Sequence, residues 1–412
     1  MRNGVARWVC AALAVWGGMG RVYAQTSEPA DRRFTLEEAL QRAERQNLDL
    51  KAARLRHAVA QAGVRIAGHW PNPTFSVQAA RDTPHEAVTL EQPLELGGKR
   101  GRRIGLAREQ VTLADLETEA FARQIRKRVR AAYFAAARAQ GMAAQRAKSL
   151  ELAQRVQAIA QARFEAGGVA QLETLQAELE AKRAEAELGA ARQVEKVVNS
   201  QLAALLNEPA ETRWNLEGAL ETLPRELPLE ELELRAQAAN PELQHLAQER
   251  RVEESHGALL AAERIPTVNA QAAADFNSPP NFRSAGRGQL SFVVPLFSRN
   301  QGELAQSRAT VKLIESETAA VRRAVTGRVA TAYYEWGARA TQVRLYREAV
   351  VPVAEKLEAL AEESYRAGRA NILTVVDAQR NVQQARREYL DSLLALQTSF
   401  AELEETVGAP ID

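Results

Sequence analysis

The sequence repeats itself. Sliding it by about 201 residues superposes two stretches, about Lys99 to Asn207 and about Asn300 to Val407. Ala162-Arg163-Phe164-Glu165-Ala166-Gly167-Gly168 then meets Glu363-Ser364-Tyr365-Arg366-Ala367-Gly368-Arg369, with Phe164 on Tyr365, Ala166 on Ala367 and Gly167 on Gly368. Downstream, Leu172 meets Leu373, Ala177 meets Ala378 and Leu206 meets Val407. Upstream, Arg128-Val129 and Ala132-Tyr133 meet Arg328-Val329 and Ala332-Tyr333. A repeat this long is a duplicated structural half, and it constrains the fold before any local reading does.

Each copy contains a helix too long for a compact domain. No proline occurs from Gly98 to Phe164, and Ala, Arg, Glu, Gln and Leu dominate. At ~1.5 Å per residue the stretch spans roughly 100 Å. Gln301 to Val350 does the same until Pro352, which is expected to interrupt or kink it. Gly167-Gly168 and Gly368 are expected to close these helices with left-handed caps. A second helix then returns, so each copy is a long antiparallel hairpin. With 5% aromatic residues, coiled-coil seams of small and straight-chain residues are expected in place of a compact core.

Elsewhere the period changes to two. Phe34 to about Gly68 reads as helix, with Thr35 and Glu38 as a capping box, and Pro71-Asn72-Pro73 stops it. Phe75, Val77 and Ala79 then alternate with Thr74, Ser76 and Gln78. After Asp82-Thr83-Pro84-His85, Val88 and Leu90 alternate with Thr89 and Glu91. This is a β-hairpin whose strands are each about long enough to cross an outer membrane when tilted. Gln92-Pro93-Leu94 and Gly97-Gly98 lead into the long helix. The second copy keeps the order: Leu229 to Glu263 reads as helix, with Asn240-Pro241-Glu242-Leu243 on Asn47-Leu48-Asp49-Leu50. A second hairpin follows, with Val268, Ala270 and Ala272 outward, a loop at Pro279-Pro280-Asn281, and Leu290, Phe292 and Val294 outward. The expected organisation is a leader at 1–24, a first repeat at 25–207 with its β-hairpin at about 74–93, and a connector at 208–228 holding Trp214 and three prolines. A second repeat at 229–408 follows, with its hairpin at about 267–297, then a tail at 409–412.

Met1 to Ala24 has the pattern of an export signal: Arg2 and Arg7, an apolar centre at Val9 to Val15, then Val22-Tyr23-Ala24, with cleavage expected after Ala24. Cleavage removes Arg2, Arg7 and Arg21 and no acid, taking the formal net charge from +2 to −1. A nucleic-acid partner therefore loses its support. The single cysteine, Cys10, leaves as well, so no disulfide, thiolate nucleophile or thiolate ligand remains. His57, His69, His85, His245 and His256 form no i, i+4 pair or His-x-His cluster, and no metal site can be read from them. Gly97-Gly98-Lys99 lacks the spacing of a phosphate loop. No nucleophile–base–acid set is visible, so neither an enzyme nor a cofactor is expected. No other apolar run reaches transmembrane length, so a membrane-bound form must be a barrel. Four strands cannot close one alone, but three copies supply about twelve, and a trimeric conduit is expected.

With these features in place, the chain resembles the TolC family of outer membrane factors over nearly its whole length after the leader. Tyr365-Arg366-Ala367-Gly368-Arg369-Ala370-Asn371-Ile372-Leu373-Thr374-Val375-Val376-Asp377-Ala378-Gln379 resembles the family's helix-tip signature. Glu91-Gln92-Pro93-Leu94-Glu95-Leu96-Gly97-Gly98-Lys99-Arg100 resembles the turn of the CzcC-like, heavy-metal branch. The resemblance implies a mainly α chain with a small β part, forming a homotrimer. Its long hairpins build a periplasmic α-barrel, and four strands per protomer build a twelve-stranded β-barrel in outer membrane lipid. It implies a passive duct working with a periplasmic adaptor and an inner-membrane pump of the resistance–nodulation–division (RND) class. Many members are lipid-anchored at an N-terminal cysteine; here no cysteine follows Ala24.

The resemblance also places the candidate site at the helix tips. Asp377 is the candidate for a ring of three carboxylates at the periplasmic gate, and Thr374, a turn earlier, stands where some members have an acid. The matching first-copy positions are Gln176 and Glu173, and Glu173 is the candidate for a second ring. Gly167, Gly168, Gly368, Arg366 and Arg369 are candidates for adaptor contact. The plain alternative for the charged residues is a solvated helix surface. Divalent heavy-metal cations are the expected cargo. Multidrug efflux and type I secretion stay open, as does, from another class, a periplasmic coiled-coil adaptor or scaffold without a pore.

Overall fold

A computed structural model describes residues 33–411 apart from 83, 217, 222–227 and 279–281. The leader, its cleavage site and the Pro279-Pro280-Asn281 loop lie outside the described residues. Two short helices open the first copy, α1 (Leu36–Gln46) and α2 (Leu48–Ala67), where one continuous helix was expected. Asn47 makes the break. Its backbone leaves helical geometry at φ −59, ψ 124, and its side-chain oxygen accepts the Leu50 N–H at 3.0 Å. The second copy breaks identically at Asn240, between α5 (Leu229–Ala239) and α6 (Pro241–Glu263). Both asparagines are buried. The Asn47 amide donates to the Leu205 carbonyl at 2.9 Å, and the Asn240 amide to that of Thr406 at 2.8 Å. One residue thus ends a helix, caps the next and ties both to the far end of the returning helix.

The strands are β1 (Thr74–Ala79), β2 (Glu86–Leu94), β3 (Val268–Ser278) and β4 (Phe282–Phe292), in one antiparallel sheet of order β1-β2-β3-β4. The copies join at β2–β3, where Leu90 lies opposite Ala272 and Val88 opposite Ala274. This register puts Phe75, Leu90 and Ala272 on one face and Thr74, Glu91, Gln271 and Gln289 on the other. The first face is apolar and the second polar. β1, with 6 residues, is shorter than the ~9–11 a membrane strand uses, and β4 stops short of Val294. Among the described residues, both outer edges, β1 and β4, lack a partner strand.

The long helix α3 (Lys99–Glu165) runs 67 residues without a break, and α4 (Gln171–Leu206) returns beside it. In the second copy α7 (Gln301–Leu345) passes through a π turn at Tyr346–Val350 into α8 (Val351–Arg366), and α9 (Ile372–Val407) returns. Pro352 therefore sits just past a π turn and does not end the helix. The β2–α3 turn is held from three sides. Gly97 has φ +71, and a Cβ there would lie 2.4 Å from Ile265 Cδ1, so only glycine fits. Lys99 Nζ donates to Thr267 Oγ1 at 2.8 Å, Arg100 Nε to the Gly68 carbonyl at 2.6 Å, and Arg103 pairs with Glu95. The branch-like motif is thus a clamp on the ends of α2 and α6.

A compact core exists after all. Phe34, Tyr133, Phe134, Trp214, Trp336 and Phe400 gather with Leu202, Leu206, Leu393, Leu396 and Val407 where the short helices and the connector cover the long ones. The expectation of seams in place of a compact core was incomplete because the buried aromatics, Tyr365 at the tips excepted, gather at this one level. Among the described residues, no helix is long and apolar enough to cross a membrane.

Candidate functional site

The two hairpins end side by side. At the first tip the Gly167 N–H bonds the Phe164 carbonyl at 2.9 Å and the Gly168 N–H bonds that of Arg163 at 2.8 Å, with Gly167 at φ +71. At the second, Gly368 is also at φ +71, and the Gly368 and Arg369 N–H groups bond the Tyr365 and Ser364 carbonyls at 2.9 and 2.8 Å. Gly168 takes no positive φ, so one glycine per tip provides the left-handed cap. Asn371 then opens α9, accepting from the Thr374 N–H and hydroxyl, each at 3.0 Å.

Between the tips lies a small core of Leu152, Val156, Ala160, Ala177, Ala361, Tyr365, Ile372 and Val375. Tyr365 is fully buried within it, whereas its counterpart Phe164 is exposed. Arg163 of α3 reaches across. Its guanidinium stands 4.9 Å from the Tyr365 ring centre, donates to the Tyr365 carbonyl at 3.4 Å, and lies 3.7 Å from the Glu173 carboxylate of α4. Burial, then the neighbouring Glu173 carboxylate, push the Tyr365 hydroxyl up to about 12, and Arg163 acts in the opposite sense. The phenol therefore stays neutral at any physiological pH. A partly buried ion pair with a cation–π contact contributes on the order of 1–2 kcal/mol.

The expected site residues separate into two groups. Glu173 is drawn inward, its side chain 20% exposed and turned to Arg163, while Gln176 is half-buried beside it. Asp377 and Thr374 lie exposed on one face of α9. Among the described residues, the Asp377 carboxylate has no hydrogen-bond or ion-pair partner. Arg366 pairs with Glu362 at 2.9 Å, and the Arg369 side chain is exposed without a partner among the described residues. Sequence reasoning gave Arg163 and Tyr365 no role. The available signal was that the copies differ there, Arg163 facing Ser364 and Phe164 facing Tyr365 in the repeat. No group of three metal-ligating side chains occurs among the described residues.

Duplicated long hairpins, a four-stranded sheet with open edges and tips clasped across the repeat define a class. The outer membrane efflux protein family matches residues 39–208 and 234–409, and the chain belongs to it. Within the family it is similar to the cobalt-zinc-cadmium resistance protein CzcC of Cupriavidus metallidurans, 29% identical over 381 residues that cover 91% of this chain and 90% of that protein. The fold is that of a membrane protein from Pseudomonas aeruginosa, with a TM-score of 0.72 at 18% identity over 90% of this chain and 92% of the other. It is also that of the Neisseria gonorrhoeae MtrE outer membrane channel in its open state, with a TM-score of 0.70 at 17% identity over 91% and 89%.

Proposed function

We propose that the protein is the trimeric outer membrane duct of a tripartite pump that exports divalent heavy-metal cations, working with a periplasmic adaptor and an inner-membrane RND transporter. The observation that carries the cargo is the similarity to a cobalt-zinc-cadmium resistance protein over 91% of the chain. The trimer is supported by what one protomer leaves open. α3 packs on α4 and α9, and α9 on α8, so α4 and α8 are the outer edges of the helical layer. Each edge carries an exposed apolar stripe at 3–4 spacing: Leu172, Leu175 and Leu179 on α4, and Val353, Leu357 and Leu360 on α8. Two different complementary edges make a head-to-tail contact that closes into a ring. The same rotation pairs β4 of one copy with β1 of the next, removing edges that lipid does not tolerate.

Chemically the duct only has to pass ions. Three Asp377 carboxylates at the tips attract cations and repel one another, a balance that favours loading and release. Glu173 acts differently from its expected role: with Arg163 and Tyr365 it clasps the two hairpins and holds the tips closed. Arg366, Arg369 and the tip glycines face the adaptor.

The test is a deletion strain challenged with zinc, cobalt, cadmium, copper and a panel of amphiphilic drugs, with complementation. Sensitivity to divalent metals alone is expected; sensitivity to drugs alone overturns the cargo. For the gate, Arg163→Ala is expected to raise the resting conductance of the reconstituted trimer about tenfold, the equivalent of ~1.4 kcal/mol. An unchanged conductance removes the clasp.

A further inference from the structure

The polar face of the sheet carries its charges unevenly. Glu91, half-buried between Thr74 and Gln271, lies toward the end where β2 leads on to α3. Its carboxylate has no hydrogen-bond or ion-pair partner among the described residues. Just below it, Lys99 and Glu263 line one cavity and offset each other, and Glu95 pairs with Arg103. Toward the opposite end, farthest from the helices, the same face carries Asp275, Arg287 and Arg283. Asp275 is buried between Ala87 and Ala285. Its Oδ1 lies 3.6 Å from the Arg287 guanidinium and accepts no hydrogen bond, so the pair is loose. Arg283 follows between Phe282 and Ser284, which face Ser278 and Phe276. It is exposed and has no partner among the described residues. Arg81 and Asp82 of the β1–β2 turn cancel, and Glu86, opposite Ala79 and Phe276, lies on the apolar face. The polar face thus has an acid near the helices and, with Arg283 and Arg287 against Asp275, a surplus arginine at its far end.

We infer that this face makes the β-barrel lumen a rectifier, with a carboxylate ring at its helical end and an arginine surplus at its far end, which passes cations outward more readily than inward. The inference rests on the proposed trimeric duct, which turns the polar face into the lumen and repeats each charge three times. Along β3, the Gln271 level of Glu91 and the Asn277 level of Arg283 stand about 20 Å apart at ~3.3 Å per residue. That exceeds the Debye length of ~8 Å at physiological salt, so the two ends act as separate zones. A field that drives cations outward brings them in past the carboxylates and brings anions in past the arginines. Both are attracted, and the lumen fills with ions. The reversed field sends each ion against a ring of its own sign, and the lumen empties. Departing cations therefore meet counter-anions inside the barrel, whereas returning cations meet arginine. Asp275 sets the strength of the effect, because it offsets one of the two arginines.

The experiment inserts the full chain in one orientation into a planar bilayer and reads the ratio of outward to inward cation current at equal and opposite voltages. A ratio of about two is expected in 0.1 M KCl, where each charge reaches ~10 Å, falling to near one in 1 M KCl, where it reaches ~3 Å. Arg283→Gln and Glu91→Gln are each expected to bring the low-salt ratio at least halfway to one. Asp275→Asn, which frees Arg287, is expected to raise it. Changes of opposite sign from neighbouring side chains do not follow from a structural role alone. A ratio that is the same at both salt concentrations, that ignores Arg283→Gln and Glu91→Gln, or that Asp275→Asn lowers, overturns the rectifier. If Asp275→Asn does not assemble, Arg287→Gln, at an exposed side chain, is expected to lower the ratio, and an unchanged ratio overturns the proposal. Failure of the duct itself looks different: the purified protein is then no trimer and forms no pore, and the rectifier falls with it. A conducting trimer with unaltered ratios keeps the duct and removes only the rectifier.

Discussion

At the tips the first copy presents Arg163 and Phe164 where the second presents Ser364 and Tyr365. The first keeps a straight 67-residue helix; the second inserts a π turn into its equivalent. The first holds its acid, Glu173, against Arg163, and the second leaves its acid, Asp377, free. Two halves with one backbone plan therefore have divided labour. One half supplies the unbroken helix and the Arg163–Glu173 ion pair. The other supplies the ring under that arginine, the π turn and an exposed carboxylate. Duplication permits this because each copy needs only half of a contact, and the partner half can drift in sequence while the backbone is kept.

The largest expected difference between the copies is at the ends of their returning helices. Asn207 closes α4 at φ 55 and Gly408 closes α9 at φ +83. A Cβ at 408 would lie 2.5 Å from the Ala239 carbonyl and 2.9 Å from Asn240 Cα, backbone atoms that cannot step aside. Gly408→Asn, which copies the first half into the second, is expected to cost ~3 kcal/mol or more and to reduce folded yield. Asn207→Gly is expected to stay within ~1 kcal/mol. Thermal unfolding of the two variants measures the asymmetry; equal losses would mean the two caps are equivalent.

A second difference appears in alkali. Tyr133 in the main core and Tyr365 in the tip core are both pushed up to about 12, burial being the larger cause in each. Their folded values exceed the unfolded value near 10, so the unfolded chain loses these protons first. Stability is thus fully present below pH 10 and falls as pH rises from 10 to 12. Each phenol is expected to contribute on the order of 1–3 kcal/mol to that fall. Melting curves at pH 9, 10.5 and 12 check it. Tyr365→Phe should flatten the slope, and a slope as steep as wild type would place the titration elsewhere.

Much of this was legible in the sequence, for physical reasons. The repeat, the two-residue period of the hairpins and the Gly-marked tips are local patterns, and the structure puts helices, strands and caps on them. What escaped notice depended on pairs distant in the chain. Asn47 reads as a tolerable helix residue until its amide is seen on the Leu205 carbonyl. Arg163 reads as a surface cation until Tyr365, about 200 residues away, is seen under it. The π turn was half visible, since the repeat offset changes from 200 to 201 across it, but an offset alone does not say whether the extra residue forms a loop or a bulge.

The aromatic pair Tyr133 and Tyr333 sharpens the comparison further. The Tyr133 hydroxyl donates to the buried Phe34 carbonyl at 2.7 Å, while that of Tyr333, half-buried, has no partner among the described residues. Tyr133→Phe leaves a buried carbonyl unpaired and is expected to cost ~1–2 kcal/mol. Tyr333→Phe is expected to stay within ~0.5 kcal/mol. If both cost the same in denaturant unfolding, the first copy does not anchor its N-terminal segment by this bond.

The smallest expected effect is at the start of the long helices. Gly98 and Asn300 are the residues that turn the chain into α3 and α7, at φ 71 and 54. A Cβ at Gly98 meets nothing within 4 Å, and asparagine tolerates the left-handed region, so Gly98→Asn is expected to change stability by less than ~0.5 kcal/mol. The reverse exchange is not symmetric. The Asn300 side chain donates to the Leu260 carbonyl at 3.2 Å and so ties α7 to the last turn of α6. In the first copy Arg100 makes the equivalent tie, reaching the Gly68 carbonyl at the end of α2. Asn300→Gly removes the tie as well as the side chain, and about 1 kcal/mol is expected to be lost. Arg100→Gln in the first copy should lose a similar amount if the two halves solve the same problem with different residues. A loss confined to Asn300→Gly would show that the first copy is already held by its lysine and glycine, and that the arginine serves something other than the turn.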